Sequence, residues 1–202
     1  MNLAKDFYKK ILIIYIISLI YAIVRYNVFG NVPWNDVPIF ITNKAVALTV
    51  MILLLFSHYQ KENVLVVRKR LLKVIFALTS WHVFISFVLL SPHYYGKFYY
   101  NDVLSITGYV VVTFGIVAYT GILSLNSENL LKNRIANFTI SESYKKIIRK
   151  LIPIFIAGHL LFMGAKGWIT PEKWYGYLFP ISLISFVLLL IYILKMWKFR
   201  KL

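Results

Sequence analysis

Six apolar runs, each near the roughly 20 residues a helix needs to cross a bilayer, are strung between clusters of lysine and arginine. They fall at about 9–29, 38–57, 72–91, 103–124, 151–169 and 177–196. Backbone polar groups in hydrocarbon must be satisfied within the segment, so runs of this length dictate helices. The predicted fold class is all-α: a polytopic membrane bundle of six transmembrane helices, with residues 1–202 forming a single domain. The run at 38–57 is the weakest, because its continuous core, Ala45 to Phe56, is short and Asn43-Lys44 interrupts its start. A re-entrant or interfacial helix is the alternative there. Parity favours a full crossing, since only an even number of spans puts all the basic clusters on one side.

Composition agrees with a bilayer as solvent. The chain is 60% hydrophobic and 15% charged, with 23 Lys+Arg against 7 Asp+Glu, a formal charge of +16. A soluble domain or a disordered tail would not carry so much apolar surface, and a nucleic-acid binder would spread its cations over a polar face. Here 18 of the 23 sit in four clusters, at the N-terminus, Lys61 to Lys73, Lys132 to Lys150 and Lys195 to Lys201. The alternate connections carry only Lys44, Lys97 and Lys173, while Arg25 and Lys166 lie inside spans. The positive-inside rule then places both termini in the cytoplasm, in a multi-pass protein of the cytoplasmic (inner) membrane. The first run lacks a small-x-small cleavage site and reads as an uncleaved span. Asn137-Phe-Thr139 matches a glycosylation sequon that a cytoplasmic loop would leave unused.

The chemistry available at membrane depth is narrow. Cysteine is absent, which removes disulfides, thiolate metal sites and cysteine nucleophiles. All seven acids fall in loops, termini or span edges, which argues against proton-coupled transport and intramembrane metalloenzymes. Ser80 and Ser86 flank His82, but no Gly-x-Ser motif positions a nucleophile.

Histidine remains. His82 lies nine residues beyond Lys73 and His159 nine beyond Lys150, so each imidazole sits about 13 Å from its basic anchor. Two histidines at one depth on different helices match what a six-coordinate haem iron requires. Two alternatives stand beside this: each is a core histidine bonded to a neighbouring carbonyl, or one lines a polar cavity. Gly108 and Gly115, on one face of the fourth span, and Gly158 would let a porphyrin approach the backbone, or simply let helices pack closely. Leu78 and Ile85 flank His82 by one turn, and Phe155 and Phe162 flank His159, placed to pack on a ring or merely to fill a core. Arg25 and Lys166 are candidate partners for haem propionates, with snorkelling to the interface the competing role for Lys166. His93 returns to the face of His82 nearer the outer surface. It is a weaker candidate ligand, because the equivalent position after His159 is Thr170. His58 reads as an interfacial histidine.

The pattern resembles the ferric-reductase-like transmembrane domain superfamily, and within it the small stand-alone bacterial members typified by the haem-binding membrane subunit of the periplasmic methionine sulfoxide reductase system. The likeness runs from about residue 39 to 195 and rests on four short landmarks. These are Asn43-Lys-Ala-Val-Ala-Leu48, the basic run Arg68-Lys-Arg-Leu-Leu72 leading to His82, Thr120-Gly-Ile-Leu-Ser124, and Tyr144-Lys-Lys-Ile-Ile-Arg149 leading to His159. The resemblance implies haem b held between the third and fifth spans by His82 and His159, in the membrane subunit of an oxidoreductase. Family members commonly carry a second histidine on the fifth span about 13 residues from the first. The corresponding positions here are Lys146 and Glu172, which implies one haem. No flavin or nicotinamide domain and no GxGxxG follow the last span. Electrons would come from a redox partner protein, a flavin such as FMN, or a quinol, and pass to an extracytoplasmic acceptor. The competing reading is a non-redox permease, scaffold or assembly partner with structural histidines.

Overall fold

The computed structural model describes residues 3–59, 65–131 and 140–198. Six long helices account for most of them: α1 (Leu3–Ile23), α2 (Thr42–Tyr59), α3 (Leu65–Val88), α4 (Ile106–Leu131), α5 (Glu142–Trp168) and α6 (Ile181–Lys198). With their irregular extensions, all six are long and apolar enough to cross a membrane, at Asp6–Val28, Trp34–Ser57, Val66–Val88, Ile106–Ser127, Glu142–Trp168 and Tyr175–Met196. The chain is a multi-pass membrane bundle. The basic clusters mark one end, called here the basic end, and the opposite end is called distal.

The second span is long and apolar enough for a full crossing. A 3₁₀ turn (Trp34–Asp36) and a π-helical turn (Val37–Ile41) lead into α2, and the chain from Trp34 to Ser57 is continuous. Half of its apolar window is buried, against 6–22% in the other spans. Asn43 interrupts the hydrophobic pattern because α2 is the central post and its polar groups face protein. Ile41, Ala45 and Leu48 pack with Ala22 of α1, Leu89, and Ile181 of α6 in the main apolar cluster, while Leu53 meets Leu71 and Ile75 of α3 in a second.

Two helices start earlier than hydropathy indicates. α5 begins at Glu142, because the Oγ of Ser141 accepts from the Tyr144 N–H at 3.3 Å and Glu142 pairs with Lys145 at 2.8 Å. Pro153 consequently lies inside α5 and not at its start, where it takes one intrahelical hydrogen bond out of the ladder. α3 likewise carries Arg68, Lys69, Arg70 and Lys73 on helix. The sequon Asn137-Phe-Thr139 lies outside the described residues.

At the distal end, α1 runs on as a π-helical turn, Val24–Val28, that turns Arg25 and Asn27 inward. Arg25 donates to the carbonyls of Tyr175 (3.3 Å) and Leu178 in the connection before α6. That connection bends at Gly176, whose φ of 58° suits glycine. Between α3 and α4 the chain makes one helical turn (Pro92–Tyr95) and a two-residue antiparallel hairpin, Tyr99–Tyr100 with Val103–Leu104. Asn101 and Asp102 take the left-handed conformation its turn requires.

Candidate functional site

A cavity of about 1150 Å³ lies among α2, α3, α4, α5 and α6, and both His82 and His159 line it. It reaches from Arg68, Lys73 and Arg149 near the basic end to Lys44, Tyr95 and Lys97 near the distal end. Its middle is apolar, with Met51, Ile75, Phe76, Ala118, Ile152 and Ile156 among the walls. The two helices that carry the histidines are the least buried of the six, at 11% of the apolar window for α3 and 6% for α5. Their inner faces border this cavity.

The two imidazoles are held alike. The Nδ1 of His82 lies 2.9 Å from Oδ1 of Asn43 on α2, and the Nδ1 of His159 lies 2.9 Å from the carbonyl oxygen of Val111 on α4. Both partners are acceptors, for Asn43 uses its amide to donate to the Oγ of Ser86 at 3.0 Å. Each Nδ1 therefore carries the proton and donates, and each Nε2 keeps its lone pair, without a hydrogen-bond partner among the described residues. Gly115 seats the second ring: a Cβ there would stand 3.1 Å from the Nδ1 of His159. Its neighbour on the same face, Gly108, packs against Leu104 and the Phe98 carbonyl, and Gly158 packs against Phe114. These two glycines serve helix packing.

Around each histidine the cavity face comprises positions i−3, i+1 and i+4. For His82 these are Thr79, Val83 and Ser86, and for His159 they are Ile156, Leu160 and Met163. Leu78 and Ile85 pack instead into the two apolar clusters, and Phe155 and Phe162 pack on Phe114 with ring centroids 5.7 Å away in each case. The rings expected to stack at the site belong to the helix interfaces.

The remaining candidates separate from the cavity. Arg25 is 5% exposed and committed to two backbone carbonyls. Lys166 and His93 are exposed, His93 with its ring edge-on to Tyr94. His58 sits in the last turns of α2. In their place the structure brings two lysines to the cavity wall. Lys44 lies 4.1 Å from the ring centre of Phe40, 4.9 Å from that of Tyr26 and 5.7 Å from that of Tyr95. The Lys97 side chain is exposed overall, but its ammonium donates to the carbonyl of Met163 at 2.6 Å. Burial holds the Lys97 amine down at about 8, with repulsion from Lys44 acting the same way. Burial pushes the Tyr95 phenol up to about 12, although its contacts with Asn43 and Ser86 pull it down. It stays a neutral member of the network that ends on His82.

No protein-family model and no curated protein matches the chain. What the site can do therefore rests on its geometry. Among the described residues, no three His, Asp or Glu side chains converge, so a bare metal ion would lack a ligand set. A macrocycle that brings its own four equatorial nitrogens needs only two axial donors, and the cavity offers two imidazoles with unshared Nε2 lone pairs. The residues present fit such a group.

Proposed function

We propose that this chain is a haem b-binding, electron-transferring membrane subunit of the ferric-reductase-like kind, with its basic end in the cytoplasm. The observation that carries the reading is the paired histidines. They lie on separate helices of one cavity, each with Nδ1 fixed by a carbonyl oxygen and Nε2 unengaged. A core histidine satisfied by a neighbouring carbonyl accounts for half of that pattern. A second ring with the same tautomer on the same cavity is what axial ligation adds.

In this reading His82 and His159 would hold the haem, and Asn43 and the Val111 carbonyl keep both rings in the tautomer that leaves Nε2 free for it. The haem, when bound, would supply a one-electron iron couple. The walls around Phe76, Ile152 and Ile156 are apolar, and a bound macrocycle would give the inner faces of α3 and α5 a packing partner. Electrons enter from a cytoplasmic redox protein, FMN or a quinol of the bilayer and leave to an extracytoplasmic acceptor. The protein purified from membranes should carry a reducible b-type Soret band that His82→Ala and His159→Ala each abolish. A colourless wild-type protein, or variants that keep an unchanged low-spin spectrum, overturns the proposal.

A further inference from the structure

Lys44 and Lys97 line the same cavity wall, and among the described residues no carboxylate pairs with either. Lys44 is caged by the rings of Phe40, Tyr26 and Tyr95, which steady a cation without neutralising it. An ammonium at membrane depth needs more than that, and its N–H donors remain available for an anion. Lys97 is fixed through one donor to the Met163 carbonyl and keeps two more.

Each lysine is tied to a residue close to one of the histidines. Lys44 follows directly on Asn43, the residue that holds His82. Lys97 is anchored at Met163, four residues and about 6 Å along α5 from His159. On the basic side the nearest cavity-lining cations, Lys73 and Arg149, stand nine and ten residues from the histidines, about 13 Å or more along the helices.

The geometry points to Lys44 and Lys97 as a two-pronged carboxylate clamp that receives both propionates of the bound haem and turns the carboxylate edge of the macrocycle toward the distal end. The inference rests on the haem reading and adds a direction to it. Each lysine would meet one carboxylate in a charge-assisted hydrogen bond, Lys44 from a half-buried position and Lys97 from an exposed one.

The test compares binding of haem b and of haem b dimethyl ester, which presents the same iron and ring without anionic groups. The full-length protein is produced under haem limitation, and each compound is titrated by its Soret band. The wild type should bind the ester about tenfold to a hundredfold more weakly than haem. Lys44→Met with Lys97→Met should bind the two equally, still as a low-spin species. Lys44→Arg with Lys97→Arg should restore the preference, which separates charge from folding. Equal binding of haem and ester by the wild type overturns the clamp and leaves the haem reading standing. So does loss of the preference in Lys73→Met with Arg149→Met but not in the distal pair. Failure of the wild type to bind either compound removes both.

Discussion

Asn43 on α2 and His82 on α3 meet through a 2.9 Å contact that fixes which nitrogen of the imidazole is free. Asn43 is 2% exposed, and its amide is spent on Ser86, so its oxygen can only accept. Replacing Asn43 with Leu removes that acceptor and lets His82 rotate or change tautomer. Loss of such an outer partner costs about 10- to 100-fold in affinity for the bound centre. Haem titration of Asn43→Leu should show that loss with the helical content unchanged, and unaltered affinity would place Asn43 outside the site.

Gly115 makes the opposite ring position possible. A Cβ at 3.1 Å from Nδ1 and 3.3 Å from Cε1 of His159 requires the imidazole to give way. Gly115→Ala should loosen the ligand, and Gly115→Val should break its bond to Val111. The measurement is the ferric electron paramagnetic resonance spectrum, in which the valine variant should convert low-spin signal to high-spin.

Arg25 ties α1 to the turn before α6, and that role is separable from the cofactor. Arg25→Met leaves the carbonyls of Tyr175 and Leu178 without their donor, at a cost of about 1–3 kcal/mol for each one that stays buried. Thermal unfolding followed by tryptophan fluorescence should move to lower temperature, while haem per folded protein stays at the wild-type value. A Soret shift without loss of stability would instead return Arg25 to the propionates.

Lys97 gives the site a pH dependence with a definite sign. Its amine titrates near 8 in the ligand-free protein, where an ordinary lysine keeps its charge to about 10.5. A carboxylate favours the protonated form, so haem affinity should fall as pH rises from 7 through 9, and Lys97→Arg should flatten the profile. For the ligand-free protein the sign reverses. Between 8 and 10.5 the unfolded chain binds more protons than the folded one, so this group's contribution to stability rises with pH. Haem dissociation rates across this range check the first, and denaturant unfolding of the ligand-free protein checks the second.

Lys166→Met and His93→Ala should change neither spectrum nor stability beyond about 0.5 kcal/mol, since both side chains are exposed and away from the cavity. Loss of haem in either variant would relocate the site.

The spans are legible in the sequence because apolar length alone decides them, and the equal offsets of His82 and His159 from Lys73 and Lys150 agree with both lining one cavity. Which neighbours share the cavity with them is not. A helix face can centre on i−4 and i+3 or slip to i−3 and i+4, and only packing against Phe114 and the α2 contacts chooses the second, sending Phe155, Phe162, Leu78 and Ile85 elsewhere. Asn43-Lys44 reads locally as a defect in an apolar run, because hydropathy carries no information about partners 39 or more residues away. Lys97 is hidden for a related reason: it lies in a loop, and only the fold of Pro92–Tyr95 and the hairpin after it returns its ammonium to α5.

The burial of α2 has a consequence for how the bundle is made. Asn43, Thr49 and Ser57 are almost wholly enclosed, and Asn43 finds its side-chain partners on α3, a helix synthesised later. While the chain is emerging, the second helix must wait in lipid, or beside the insertion machinery, with that amide unanswered. The centre of the finished protein is thus a segment apolar enough to enter the bilayer but dependent on a later helix to answer its amide. A chain cut short after the second span would leave that amide without Ser86 and His82.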